Sequence, residues 1–398
     1  MLGQPPRDTP PGSDVLLPDT LTEDDLPSSE LGLADVPDAL VYVAPQWKLV
    51  WWRFRKHRLA MISAVILLGI YTVAAFAEFV APTTGDANNG AYTYAPPQRL
   101  HLIDDGHVGL YVYAYKMTRD PDTLVQTFKV DKQDKIALTF FGRGPSYRMW
   151  GLFNTNRHLL APTPRDAPVY LLGANALGQD VLSRVIYGAR ISMSIGLVGV
   201  TLSLVLGLLL GGISGYYGGA ADTLIQRLIE FLISIPTIPL WMGLAAAVPP
   251  TWSPIKSYFA ITVILSVIGW TQLARVVRGR FLAMRQEDFV TSALLDGASS
   301  FRVMRRHMLP LRSSHIIAAT TLAVPTMILA ETTLSFLGLG LQPPAVSWGV
   351  LLQEAQNIRA IATAPWLVIV PGVAVTVAVL AFNFVGDGLR DAADPYGG

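Results

Sequence analysis

The residues from Asp288 to Pro310 form a polar, basic segment between two long apolar runs. Asp288 to Asp296 reads as a short helix. Gly297 then offers a backbone free to take positive φ, and Ser299 or Ser300 is placed to cap a second short helix. On that second helix Phe301, Met304 and Met308 fall at i, i+3 and i+7, which predicts one apolar face, with Arg302, Arg305 and Arg306 on the remaining surface. Pro310 stops it. The chemistry open to such a knuckle is docking into a groove on a soluble partner. Glu331 is the second group of interest, because it lies inside an apolar run. A carboxylate there is costly and turns toward the protein interior or a wet cavity, so it reads either as pathway lining or as a buried structural hydrogen bond.

Bond-breaking chemistry finds no support. The chain has no Gly-Lys pair and so no Walker A loop, and it has no His-Glu-x-x-His or Gly-x-Ser-x-Gly sequence. It has no cysteine, which excludes disulfides and thiolate metal sites, and its six histidines are scattered. With 51% apolar and only 15% charged residues, the composition excludes an ordinary soluble enzyme and indicates a polytopic membrane protein. A net charge of +1 gives no reason to expect nucleic acid.

The elements that must position these groups follow from hydropathy. Residues 1–46 form an acidic tail, with nine carboxylates from Asp8 to Asp38 facing Arg7 alone, and are expected to be disordered and cytoplasmic. Residues 47–58 interleave Trp47, Trp51, Trp52 and Phe54 with five Lys and Arg residues and read as an interfacial helix. A first span at 59–80 is followed by an insertion at 81–188 on the outer side, with strand-like alternation at Leu110–Met117 and Ile136–Phe141. The end of the insertion, Asp180 to Arg190, is amphipathic and is expected along the outer interface. The membrane core, 189–398, contains spans at 191–216, 221–248, 258–275, 316–339 and 364–386, with the knuckle in a loop at 286–312. Gly207, Gly211 and Gly215 belong to a fourfold repeat of small residues that lets another helix approach closely, within the same subunit in preference to across a subunit interface. Pro236 and Pro239 are expected to bend or break the third span, and with Glu331 they are the pathway candidates. Pro325 is expected to break the fifth. Arg275, Arg278, Arg280 and Arg285 put the knuckle in the cytoplasm, with both termini.

The knuckle resembles the EAA coupling loop in the membrane subunits of ATP-binding-cassette importers. Gly297 and Leu309-Pro310 match that pattern, while Thr291, Ser292 and Ala293 stand where the family has Glu-Ala-Ala. Asp180 to Arg184 and Tyr187 to Arg190 are similar to the oligopeptide and dipeptide importer permeases, as are the runs Ser335 to Pro344 and Phe382 to Pro395. Gly173-Ala174-Asn175 and Gly178-Gln179-Asp180 depart from the family at its charged positions. The resemblance implies a fold that is all-α and polytopic, with the six transmembrane helices of a type I ABC importer and a long, partly β extracytoplasmic insertion between helices 1 and 2. It implies a C-type permease subunit of the bacterial inner membrane that forms half of a peptide pathway. Asp288, Ala293, Asp296, Gly297, Ser299, Phe301, Arg302, Arg305 and Pro310 would then couple to an ATPase. The implied partners are a homologous second permease, two ABC ATPases, an extracytoplasmic substrate-binding protein and membrane lipid. No cofactor is implied in this subunit, since ATP and Mg belong to the ATPases. Saccharides, opines or nickel chelates are alternative cargoes. An intramembrane enzyme or a non-transporting receptor is the reading from a different class.

Overall fold

The computed structural model describes residues 46–104, 107–119, 121, 126–165, 167–311, 313–357 and 362–393. The acidic tail predicted over 1–46 lies outside them except for Gln46. Helix α1, Gln46–Lys56, ends on its basic turn. At the following residue the His57 ring accepts from the Ala60 backbone N–H and starts α2, Arg58–Ala75, the first apolar helix. Phe54 is buried beside Ala60 and Ala392, which ties α1 to the two chain ends of the bundle.

After a single turn, α3 (Ala77–Val80), the chain enters the insertion. Its strands are β1 (His101–Asp104), β2 (His107–Arg119), β3 (Gln126–Phe140), β4 (Arg143–Met149), β5 (Phe153–Arg157) and β6 (Leu160–Thr163). A four-stranded antiparallel sheet runs β1-β2-β3-β6, and β4-β5 form a separate hairpin. Both stretches predicted as strands lie in this sheet, where Val112, Ile136 and Leu138 alternate inward against Val169. That alternation is the period-two signature of a sheet with one covered face.

Helix α4, Val181–Tyr217, opens on Asp180, whose carboxylate accepts from the Ser183 N–H at 2.8 Å, and closes at Gly218 with φ +67°. Its cap and its first ten residues are the 180–190 stretch expected to lie along the interface. No proline interrupts it, and its cations are paired with carboxylates, so the helix continues outward without a break. Helix α5 (Gly219–Ser234) and α6 (Thr237–Ala246) meet at 87° and together make one broken span. Ile235 is extended because the residue before a proline is driven out of the helical region. Pro236 and Pro239 then fall at the start of α6, where missing N–H groups cost nothing.

Helix α7, Pro254–Met284, is capped by Ser253 and packs along α4. A Cβ on Gly207, Gly211 or Gly215 would come within 2.8, 2.5 and 2.7 Å of Leu273 Cβ, the Ala274 oxygen and the Arg278 oxygen. The small-residue stripe therefore faces α7 of the same chain. The knuckle consists of α8 (Asp288–Leu295) and α9 (Ser300–Val303), the latter running into a π turn at Met304–Met308. Helix α10, Ser313–Phe336, passes through Pro325 without interruption, contrary to the break expected there. Its neighbours supply the packing that a lost hydrogen bond would otherwise weaken. Helix α11 (Trp348–Glu354) and α12 (Trp366–Ala393) complete the chain. Among the described residues five helices are long and apolar enough to cross a membrane, and counting the bent α5–α6 pair as one span brings the number to six.

Candidate functional site

The knuckle has a buried root and an exposed tip. Val290, Ala293, Val303 and Met308 pack with Tyr216, Val277, Phe281, Met284 and Ile316, so the ends of α4 and α7 and the start of α10 hold it. Gly297 turns the chain at φ +81°, with nothing near enough to constrain it but the backbone angle itself. Ser299 occupies the N-cap position of α9 without a side-chain capping bond. Asp288, Asp296, Ser299, Arg302, Arg305 and Pro310 are exposed, and Ala293 is buried. Phe301 is 63% exposed, whereas the expected face put it inward with Met304 and Met308. The π turn is the reason. Its wider i→i+5 spacing brings Val303 and Met308 onto one side and rotates Phe301 out of phase. Leu294 and Leu295 are exposed as well. Two leucines and a phenylalanine thus stand bare beside Arg302 and Arg305. The adjacent Leu294-Leu295 pair before the glycine was a readable signal for this surface.

A cavity of about 490 Å³ opens at the level of the α5–α6 break. Ile233, Thr237 and Trp241 line it from the broken span, Thr271 and Gln272 from α7, and Thr326 and Met327 from α10. Pro236 and Pro239 do not line it but bracket Thr237, which does. Among the described residues the Trp241 indole N–H has no hydrogen-bond partner. Gln272, an amide inside an apolar run, was the sequence signal for this cavity.

Glu331 is not among the residues lining that cavity. It is fully buried and accepts hydrogen bonds from the Ser347, Ser335 and Ser192 hydroxyls at 2.7, 2.9 and 3.3 Å. Ser347 also caps α11, and Ser192 Oγ accepts from the Trp348 N–H. One carboxylate therefore fastens α10 to α4 and to the start of α11.

A second cavity, about 550 Å³, lies at the insertion end. Arg184 and Glu354, which form a bidentate pair, line it with Asn175 and Gln179. Asp180, fully buried beside it, has its carboxyl pushed up to about 6 by burial, against the hydrogen bonds from Ser183. On α3, just past the end of α2, both Glu78 oxygens accept from the Arg190 guanidinium, at 2.7 and 2.6 Å. Among the described residues no group of three or more His, Cys, Asp or Glu is arranged to hold a metal.

A bundle of apolar helices with a polar insertion at one end and an anchored knuckle at the other is the build of a multi-pass membrane component. Residues 204–396 match the family described as binding-protein-dependent transport system inner membrane component. Residues 45–97 match the N-terminal TM domain of oligopeptide transport permease C. The chain is 40% identical over 228 residues to the dipeptide transport system permease protein DppC of Haemophilus influenzae, which covers 57% of this chain and 75% of that one. It is 36% identical over 282 residues to DppC of Alkalihalophilus pseudofirmus, covering 68% of this chain and 89% of the relative. An inward-facing structure of the MetNI methionine ABC transporter aligns with 53% of this chain and 97% of its own, at 18% identity and a TM-score of 0.42. The chain belongs to the binding-protein-dependent transport-system inner-membrane components and is a permease component of an ABC transporter.

Proposed function

We propose that this permease imports peptides as one membrane half of its transporter, and that the knuckle is its docking surface for an ATPase subunit. The observation that carries the reading is the knuckle's division. Four residues root it in the ends of three long helices, while Leu295, Phe301, Arg302 and Arg305 face outward. A body so built transmits force, because its root cannot move without moving α4, α7 and α10. The relatives named above are dipeptide permeases, which supports peptides as cargo.

The remaining parts follow. A second permease subunit completes the pathway, two ATPases carry ATP and Mg, and a binding protein delivers cargo to the insertion end. The basic helix α1 and the arginines from Arg275 to Arg285 support a knuckle end, and both termini, on the cytoplasmic side of an inner membrane. Thr237, Trp241 and Gln272 line this subunit's half of the path. The knuckle takes different contacts in the two nucleotide states, since only such differences shift a conformational equilibrium.

The test is cross-linking in the assembled transporter. The chain has no cysteine, so Phe301→Cys is a unique handle. It should cross-link to an ATPase subunit with a yield that changes when ATP is added. A bare Phe301→Cys in a complex that still couples cargo to ATP hydrolysis would remove the assignment.

A further inference from the structure

The β4–β5 hairpin is fixed at two levels. At its stem the two ring nitrogens of His158 lie 2.7 and 2.9 Å from the carbonyl oxygens of Ala81 and Pro145, and the Leu159 N–H donates to the Phe79 oxygen at 2.7 Å. At its tip the Trp150 indole N–H donates to the Ala75 oxygen at 2.7 Å, on the last residue of α2. The sequence of contacts sets the direction. Moving from Ala81 back to Ala75 is moving toward the bilayer, and the hairpin moves the same way from stem to tip. Ring contacts follow that line, Phe79 on Phe141 and then Phe76 on Trp150.

The tip is a tight turn with positive φ at Trp150 (50°) and Gly151 (73°). It presents Leu152 and Phe153, 71% and 62% exposed, with Trp150 beside them. The hairpin from Arg143 to Arg157 carries three arginines and no Asp or Glu. All three arginines are exposed. Arg148 pairs with Asn154 next to the tip, and Arg143 pairs with Arg157 higher up. Two cations directly opposite on neighbouring strands repel unless an anion lies near them.

We propose that this hairpin is a membrane anchor. Its Trp150–Phe153 tip enters the leaflet at the insertion end beside α2, and Arg148, Arg143 and Arg157 bind lipid phosphates above it. The occupant is lipid because the tip continues the exposed apolar face of a helix long and apolar enough to cross a membrane. Ile62, Val65 and Leu68 on α2 are exposed, and Ala75 ends that same helix. Aromatic rings at the boundary with cations outside them suit the headgroup region. The anchor fixes the height of the whole β sheet over the bundle, since β3, β6 and the hairpin are joined in sequence by single turns.

The test uses the full chain in vesicles of phosphatidylcholine with a minority of phosphatidylglycerol. Leu152→Cys and Phe153→Cys are labelled with an environment-sensitive fluorophore, with Ser146→Cys on the stem and Val130→Cys on β3 as aqueous references. The tip labels should lose their quenching by iodide, gain quenching by lipids carrying a shallow nitroxide, and shift to shorter emission wavelengths. The reference labels should keep their iodide quenching, which also shows that the insertion is folded. Equal iodide access at tip and references overturns the proposal. So does shielding of the tip that appears only when a binding protein is added, which would make the tip a protein contact.

Discussion

Arg278 holds Asp222 by a fork, with Nε and Nη2 each 2.6 Å from a different carboxylate oxygen. The pair joins the first turn of α5 to the end of α7, just before the chain enters the knuckle. Any movement of the knuckle root is thereby shared with the broken span. Bidentate geometry gives such pairs more than a surface ion pair provides, although side chains 31% and 19% exposed remain partly screened. Asp222→Ala and Arg278→Ala should each lower the apparent melting temperature of the full chain. The double-mutant cycle should show a coupling of about 1–2 kcal/mol. Additive effects would mean that the two elements are not joined here.

Phe301 and Met308 should separate docking from folding. Phe301→Ala removes an exposed ring and should change the subunit's stability by no more than about 0.5 kcal/mol. Its affinity for the ATPase should fall at least about tenfold, as for an interface anchor. Met308→Ala empties a fully buried position and should cost about 2–5 kcal/mol. Thermal unfolding of the subunit and titration with the ATPase read the two effects.

Gly211 has no room for a side chain. A Cβ there would meet the Ala274 backbone oxygen at 2.5 Å, and that atom cannot rotate away. Gly211→Ala should therefore cost about 1–3 kcal/mol by forcing α4 and α7 apart. Gly243→Ala, where nothing lies within 4 Å, should be neutral or slightly stabilising. Melting of the two variants side by side decides whether close approach is the requirement.

Glu331 distinguishes a fastening from a pathway group. Glu331→Gln keeps an oxygen for two serines and an amide for the third, and should cost about 1 kcal/mol. Glu331→Ala strands three buried hydroxyls and should cost about 3 kcal/mol or more. Transport should fall in step with stability. Loss of transport in a Glu331→Gln protein that melts normally would instead place this carboxylate on the path.

Asp180 should make the insertion end pH-sensitive. Its carboxyl titrates at about 6 in the fold against an ordinary 3.8, so the folded state binds the extra proton between those values. Stability from this group is then highest below about pH 4, falls as pH rises to about 6, and stays lower above it, by about 3 kcal/mol at most. Asp180→Asn keeps an oxygen to accept from Ser183 and removes the titration. Its melting temperature should vary less than the parent's from pH 4 to 7, and should equal or exceed the parent's at pH 7.

What the sequence determined by itself is local. Runs of apolar residues set the spans, alternation at Leu110–Met117 and Ile136–Phe141 set two strands, and Gly297 set the turn of the knuckle. These depend on neighbours a few residues away, where periodicity and backbone freedom act directly. The stripe of Gly207, Gly211 and Gly215 announced a close approach but not its partner. Only the tertiary structure supplied α7. It also decided that Arg184 meets Glu354, 170 residues away, that three serines surround Glu331, and that a π turn leaves Phe301 outside. Burial and pairing are set by which surfaces meet across the bundle, and pattern along one segment carries no record of the segment that will cover it.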